Sequence, residues 1–377
     1  MGRNAIPVLW VTGAPGVGKS TIGWGLFSRI AERGGNVAYV DIDQLGLIGP
    51  PPGGAASHEI KAGNLQRVIA AMRRRGVQQV IVSGVVDPKL GFESSFADEA
   101  DVAFVRLRCD WEELRRRFLG RGSSAEMLAE LFEVADDFDR SGLGVVLDTT
   151  VQHPDDTMNA LLEQCVVRSS AVRPLPAEEA LPGPVIVVTG ATAVGKSTAA
   201  WSVLRHLWDS GVATAYVDLA QLGFVRPGPD PVLQTANLAA LWCGYRQAGA
   251  EVLMVVTRDP GSVPAVAPTV VRLEADAATL ADRVRRRADG ESALLAGDEL
   301  RGAPPAVQRR VTARAVSEAD RLRSGTNQIV LDTTGQSPEE TATALLDALV
   351  PHINVVRRIC STSSASGGVP VAMRWTK

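Results

Sequence analysis

The sequence predicts an α/β protein made of two tandem repeats, each a parallel β-sheet with helices on both faces. Three observations support this prediction. The chain has 377 residues, which is too long for one ordinary domain. Nearly the same eleven residues occur twice, as VTGAPGVGKST at Val11–Thr21 and VTGATAVGKST at Val188–Thr198. Around each copy, short apolar runs alternate with helical segments, a pattern typical of a parallel sheet covered on both sides.

Matched landmarks indicate that a whole domain is duplicated. Gly13 and Gly190 are 177 positions apart, and the spacing from Lys19 to Lys196 is the same. Later landmarks drift slightly, as loop insertions and deletions produce. The segment between the two copies is rich in Pro and Ala, which is the composition of a linker. We therefore predict a first domain at residues 1–167, a linker at 168–184, a second domain at 185–356 and a flexible tail at 357–377.

The first repeat contains five apolar runs that read as buried strands: IPVLWVTG, NVAYVDI, VQQVIVSG, DVAFVRL and GVVLDTT. Helices are predicted at Ser20–Arg33, Asn64–Arg75 and Trp111–Arg121. The second repeat follows the same order. In such folds ligands bind at the carboxyl ends of the strands, so the loops at those ends are where we expect the functional residues.

The composition argues against several functional classes. A formal net charge of −3 does not suggest a nucleic-acid or membrane partner. No apolar run approaches the roughly 20 residues that span a bilayer, and the first apolar run is too short for a signal peptide. The cysteines are far apart and form no CxxC pair, which predicts reduced thiols in a cytoplasmic protein rather than disulfides or a metal site. They are Cys109, Cys165, Cys243 and Cys360.

Both repeated segments match the phosphate-loop pattern GxxxxGK[ST]. Glycines let the backbone N–H groups turn toward a phosphate, and the following helix adds its positive N-terminal end. The lysine of each loop is expected at the β- and γ-phosphates, and the serine after it at Mg²⁺. The predicted nucleotide-binding residues are Gly13, Gly16, Gly18, Lys19, Ser20, Thr21, Gly190, Gly195, Lys196, Ser197 and Thr198.

Features near the loops narrow the class of nucleotide-binding protein. The chain has no guanine-reading NKxD, and its third strands end in VIVSGV and VLMVVT, without the acid that a motor or ABC ATPase places there. An acid instead follows the second strand, as Asp41 and Asp43 in the first repeat. An arginine-bearing helix and a DTT motif come later in each repeat. With these four features in order, the chain resembles the small P-loop kinases of the shikimate kinase, gluconate kinase and adenylate kinase type, over most of its length.

The resemblance implies ATP and Mg²⁺ as cofactors and a role for each acid. Ser20 and Asp41 would support the metal, as would Ser197 and Asp218 in the second repeat. Asp43 would orient the acceptor hydroxyl and could accept its proton. Phosphoryl transfer depends mainly on such positioning and on neutralisation of charge.

The helix arginines and the LDTT motifs each allow two roles by sequence. Arg117 and Arg121 lie four apart on one helical face, and Arg283 and Arg287 repeat them. By resemblance they belong to a lid over the triphosphate, Arg121 and Arg287 being the best candidates for phosphate contact; the alternative is a solvated basic face. The LDTT motifs would lie beside the adenine. We expect each to cap a helix as well, with the adenine contacted through the backbone.

The two repeats differ where an acceptor would bind. Ala220 stands in place of Asp43, Gln234 in place of Lys61 and Ala193 in place of Gly16. The first repeat is therefore expected to transfer phosphate and the second to bind nucleotide without the same transfer. Residues that could contact the acceptor in the first repeat are His58, Glu59, Lys61, Arg67 and the pair Ser83-Gly84.

These observations favour an ATP- and Mg²⁺-dependent kinase for a small-molecule acceptor, in the cytoplasm. The alternative is a nucleotide-sensing regulatory protein, or an ATPase without a small-molecule acceptor. A nucleic-acid-directed ATPase is disfavoured by the acidic net charge and by the lack of interleaved aromatic and basic residues. The identity of the acceptor and the oligomeric state stay open.

Overall fold

The computed structural model describes residues 5–50, 54–87, 99–165, 170–176, 179–226, 228, 230–291 and 296–352. The predicted tail, Cys360, Pro88 and parts of the predicted linker lie outside these residues. Within the described ranges, no helix combines the length and the apolar character needed to cross a membrane.

The first repeat forms one parallel sheet between two layers of helices. Its strands are β1 (Ile6–Thr12), β2 (Val37–Asp41), the two-residue β3 (Ile48–Gly49), β4 (Gln79–Ser83), β5 (Ala100–Arg108) and β6 (Val145–Asp148). Its helices are α1 (Lys19–Glu32), α2 (Gly54–Arg75), α3 (Trp111–Gly120), α4 (Leu128–Ser141) and α5 (Pro154–Leu162). The strand order is β2-β4-β1-β5-β6, and β3 belongs to the other sheet.

The second repeat has the same architecture. Its strands are β7 (Val185–Gly190), β8 (Thr214–Asp218), β9 (Val252–Val256), β10 (Thr269–Glu274) and β11 (Ile329–Asp332). Its helices are α6 (Lys196–Asp209), α7 (Pro231–Gln247), α8 (Ala277–Ala288), α9 (Pro305–Leu322) and α10 (Pro338–Leu349). The order β11-β10-β7-β9-β8-β3 matches that of the first sheet, with β3 added at the edge. The predicted fold class is confirmed.

Each repeat completes the edge of the other repeat's sheet. β3 of the first repeat pairs antiparallel with β8, where Ile48 is the partner of Ala215. In the opposite direction, Val225 forms an antiparallel bridge with Ala38 of β2. The residues of the second contact are those of the first shifted by 177 positions. The exchange is therefore reciprocal, and the two repeats are related by an approximate two-fold symmetry.

The largest hydrophobic core crosses the boundary between the repeats. Trp10 and Ile69 of the first repeat belong to the same buried cluster as Leu238 and Trp242 of the second. α2 packs on α7, and the helices approach so closely that a Cβ on Gly244 would lie 1.8 Å from Asn64 Oδ1. On the other face of its sheet, each repeat has a core of its own around its phosphate-loop helix. The predicted domain boundaries stay a prediction.

Candidate nucleotide site and phosphate loops

The two phosphate loops adopt the same backbone path. Gly13, Gly16 and Gly18 have φ values of 132°, 92° and 106°, which glycine reaches without strain. In the second loop Ala193 replaces Gly16 and still has a φ of 63°. A positive φ is costly for a residue with a Cβ and persists only where the surrounding structure enforces it. The second loop therefore keeps the backbone conformation of the first despite the alanine.

Lys19 is buried and Lys196 is half-buried, and each lies against its own loop. Lys19 Nζ donates to the carbonyl of Ala14 at 2.9 Å, and Lys196 Nζ donates to the carbonyls of Gly190 and Ala191 at 2.9 and 2.7 Å. Burial lowers the pKa of each lysine to about 8, against the opposing effect of nearby acids. These acids include Asp43 in the first repeat. An anion that enters the loop would stabilise the charged lysine.

Sheet register brings Asp41 to the edge of the phosphate loop. Asp41 pairs with Ser83 of β4, and Ser83 pairs with Val11 of β1, so the three strand ends lie side by side. Asp41 Oδ1 accepts a hydrogen bond from Asp43 N at 3.0 Å, which holds the short 3₁₀ turn after β2. Burial, together with the negative charge of Asp43, raises the pKa of Asp41 to about 6.

The residues predicted to hold Mg²⁺ lie together in both repeats. Ser197 Oγ donates to Asp218 Oδ2 at 3.1 Å, and in the first repeat Ser20 hydrogen-bonds the Tyr39 hydroxyl, on which the charge of Asp41 also acts. Carboxylate and hydroxyl oxygens are ligands that Mg²⁺ prefers, usually beside waters and substrate phosphates. No group of three or more His, Cys, Asp or Glu side chains within the described residues could hold a metal alone. The donor set fits a Mg²⁺ ion that arrives with a nucleotide.

Asp43, which is predicted to orient the acceptor, is exposed and lies close enough to the first loop for its charge to act on Lys19. Its carboxylate accepts a hydrogen bond from Lys61 Nζ of α2 at 2.6 Å. Arg67, one of the other acceptor candidates, instead donates to Gln247 of the second repeat. Ser83 hydrogen-bonds the Tyr39 hydroxyl at 2.7 Å. Lys61 is therefore the acceptor candidate that the described contacts connect to Asp43.

Arg117 connects the phosphate loop to the LDTT segment. Its guanidinium donates to the carbonyl of Val17 at 3.3 Å and to the carbonyl and hydroxyl of Thr149 at 2.8 and 3.1 Å. Arg283 makes the same contacts with Val194 and Thr333 in the second repeat. Because these donors are engaged with protein acceptors, the contacts support a positioning role. The predicted catalytic role of Arg117 stays a prediction.

Arg121 and Arg287 face the loop lysines. The charge of Arg121 acts on Lys19, and that of Arg287 acts on Lys196. Burial lowers the pKa of Arg121, whose Nε donates to Ser123 Oγ at 3.1 Å. Arg287 Nε instead donates to the carboxylate of Asp298 at 3.0 Å. The two arginines thus occupy similar places but differ in the charge of their partners.

The prediction that the LDTT motifs cap helices is wrong. α5 is capped by His153 and α10 by Ser337, each followed by a proline in the first helical turn. Thr149 is buried between Arg108 and Arg117, so it braces the end of β6 instead. The signals that locate the caps are H-P-D and S-P-E-E, a few residues beyond LDTT.

The structure also places two acids at the second loop that sequence reasoning missed. Glu318 of α9 accepts a hydrogen bond from the backbone N–H of Thr192 at 2.7 Å, and Asp298 pairs with Arg287. Burial by itself would raise the pKa of Glu318, but the Thr192 hydrogen bonds and the charges of Arg258 and Lys196 hold it below its usual value. Both acids are more than 100 positions from the loop, with no motif around them.

Comparison with known protein families finds a match to the part of the chain that contains the first phosphate loop. A family model described as an AAA domain matches residues 9–137, about a third of the chain. A sequence search of curated proteins finds no match.

Solved structures similar to the chain include three kinases. They are a sugar kinase from Janibacter sp. HTCC2649 (18% identity, 42% of this chain and 93% of that chain, TM-score 0.32), a gluconokinase from Sinorhizobium meliloti 1021 (20%, 44% and 94%, 0.29) and a shikimate kinase from Bacteroides thetaiotaomicron (15%, 42% and 98%, 0.31). The matched family spans the first phosphate loop, Asp41, Asp43 and Arg121. The predicted resemblance to P-loop proteins is thereby confirmed in the first repeat.

Proposed function

We propose that the chain is an ATP- and Mg²⁺-dependent phosphotransferase that acts on a small-molecule hydroxyl through its first repeat. The observation that carries this proposal is the set of charges around Lys19. The buried ammonium is acted on by Asp43 and Asp41, which lie together at the end of β2, and by Arg121, which comes from a separate segment of the chain. Such a set supplies both a cation for phosphate and a carboxylate for an acceptor, which phosphoryl transfer requires.

Each residue of this set has a distinct task in the proposed reaction. The loop N–H groups and Lys19 bind the β- and γ-phosphates, and Arg121 neutralises charge that develops on the transferred group. Ser20 and Asp41 would hold Mg²⁺, which would supply positive charge to offset that of the phosphates. Asp43 aligns the acceptor hydroxyl and takes its proton as the acceptor oxygen bonds to the γ-phosphorus, while the bond from that phosphorus to ADP breaks and ADP leaves.

Lys61 positions Asp43 and suggests a polar acceptor. The 2.6 Å ion pair fixes the carboxylate at the mouth of the first site, where an acceptor hydroxyl would approach. The second repeat lacks both partners, having Ala220 and Gln234, and the Gln234 amide donates to the Leu219 carbonyl instead. We therefore assign transfer to the first repeat and nucleotide binding, with a regulatory or structural purpose, to the second.

The first test is nucleotide binding by titration calorimetry with Mg²⁺ present. We expect the wild-type chain to bind two equivalents of nucleotide, and Lys19→Ala and Lys196→Ala to lose one equivalent each, because each lysine serves one loop. If neither substitution changes the stoichiometry, the loops do not bind nucleotide as proposed.

The second test is phosphoryl transfer from ATP to a panel of hydroxyl compounds. Asp43→Ala and Lys61→Gln install the second repeat's own residues in the first. We expect Asp43→Ala to lower the transfer rate on the order of 10²–10⁴-fold, the usual contribution of a general base, while ATP affinity changes only a few-fold. Tight ATP binding without transfer to any acceptor would favour the alternative, a nucleotide sensor.

A further inference from the structure

Glu318 places a negative charge at the entrance of the second phosphate loop. Its side chain comes from α9, is only 10% exposed, and accepts a hydrogen bond from the Thr192 N–H at 2.7 Å. Arg258 Nη1, which follows β9, lies 3.5 Å from the same carboxylate, and Arg314 Nε lies 3.9 Å from it. The carboxylate is also close enough to Lys196 for its charge to act on that ammonium.

Both partners of this contact are specific to the second repeat. The residue at the position of Thr192 in the first loop is Pro15, which has no N–H to donate. The buried side of α4, the counterpart of α9, is apolar around Val134 and Ala135. The contact needs a backbone N–H donor in the loop and a carboxylate acceptor on the helix. Of the two repeats, the second has both.

The contact lies at the end of the loop that faces a terminal phosphate. The N–H groups nearest the start of α6, around Gly195 to Ser197, are those that hold the inner phosphates. Thr192 lies four positions before Lys196, at the opposite end of the loop. A carboxylate there is an anionic oxygen group beside the loop lysine, as a γ-phosphate would be. The two groups would compete for the same place and repel each other.

A second acid removes the cation that a triphosphate would use. Asp298, whose side chain is 6% exposed, pairs with Arg287 at 3.0 Å. In the first repeat, the described hydrogen bond of Arg121 goes to the uncharged hydroxyl of Ser123. The second site thus carries two carboxylates, Glu318 and Asp298, on the side where the terminal phosphate would lie.

We propose that the second repeat is a nucleoside diphosphate site, in which Glu318 takes the position that a terminal phosphate would occupy. This inference rests on the proposed binding of nucleotide by the second loop. It makes Glu318 the residue that sets the choice between diphosphate and triphosphate. The first repeat, with Pro15 and an uncharged partner for Arg121, would keep its preference for ATP.

The test compares ADP and ATP affinities at the second loop of the full chain, by calorimetry with Mg²⁺. Every variant also carries Lys19→Ala, which abolishes nucleotide binding at the first loop. In this background we expect ADP to bind at least tenfold more tightly than ATP. Glu318→Ala should raise ATP affinity at least tenfold and change ADP affinity less than threefold. Thr192→Pro, which copies the first loop, should shift the ratio in the same direction by removing the donor that holds Glu318.

The outcomes separate this inference from the function on which it rests. Equal ADP and ATP affinities in the Lys19→Ala chain would overturn the inference alone. An equal rise in both affinities on Glu318→Ala would do the same, because the carboxylate would then close the whole loop. Absence of binding of either nucleotide in all three variants, with a native circular dichroism spectrum, would instead overturn nucleotide binding by the second repeat.

Discussion

Arg117 of α3 and Arg121, which follows the last residue of that helix, are one helical turn apart, yet their surroundings differ. Arg117 donates to two loop carbonyls and to Glu113 of its own helix, so it holds the phosphate loop and the LDTT segment together. Arg121 stacks over the Phe118 ring, with its guanidinium carbon 5.0 Å from the centroid. We infer that the first arginine preserves the shape of the site and the second contacts phosphate.

Substitution of these arginines should separate stability from catalysis. We expect Arg117→Ala to lower the free energy of unfolding by about 1–3 kcal/mol, because it leaves buried carbonyls without donors. Arg121→Ala should change that free energy by less than about 0.5 kcal/mol and lower the transfer rate on the order of 10²–10³-fold. Urea unfolding and steady-state transfer rates measure the two effects.

The second repeat offers a matched control for this prediction. Arg283 makes the contacts of Arg117 but belongs to the repeat without Asp43. Arg283→Ala should therefore lower stability as Arg117→Ala does and leave transfer nearly unchanged. A loss of stability on Arg121→Ala equal to that on Arg117→Ala would contradict the assignment of roles.

At the scale of elements, the sequence predicted what is encoded locally. β1 and β4 are continuous apolar runs, so their positions were predicted to within two residues. α2 begins at Gly54, ten residues before the predicted start. The prediction missed these residues because GAASHEIKAG contains two glycines and no apolar period. The swapped strand β3 has only two residues, and its partner β8 lies in the other repeat. No local pattern could have indicated that pairing.

The same distinction holds for the candidate site. Lys19, Asp41 and Asp43 follow strands within short motifs, and the register of β1, β4 and β2 brings them to one edge. Glu318 and Asp298 reach the second loop only through the packing of α9 and of the segment at 296–304 before it. Their positions depend on tertiary contacts, which a motif search does not represent.

Replacement of Gly49 should test the exchange of β3 between the repeats. The residue lies flat against the indole of Trp208, and an added Cβ would be 2.2 Å from that ring. We expect Gly49→Ala to lower the free energy of unfolding by about 1–3 kcal/mol, since the ring is packed and must shift. Gly120→Ala is the control, because a Cβ there meets nothing within 4 Å and alanine favours the helix. Equal stabilities of the two variants would show that β3 does not need its close contact with Trp208.

At the scale of the whole molecule, the two phosphate loops belong to repeats that share one hydrophobic core. Leu65, Val68, Ile69 and Met72 of α2 are buried in the same cluster as Leu238, Leu241 and Tyr245 of α7. The edge of each sheet is completed by the other repeat. The two phosphate loops therefore rest on one shared core. Through this core, nucleotide binding at the second loop has a physical route to affect the first loop.

This architecture predicts that the two repeats unfold together. Exposure of the four apolar side chains of α2 alone would cost about 6–12 kcal/mol at about 1.5–3 kcal/mol each, which is as large as the whole stability of a typical domain. We expect one urea transition, coincident by tryptophan fluorescence and circular dichroism. Saturation of either loop with nucleotide should raise its single midpoint. A fragment of residues 1–167 should fail to give a cooperative transition, whereas two separate transitions in the full chain would show that the shared core does not couple the repeats.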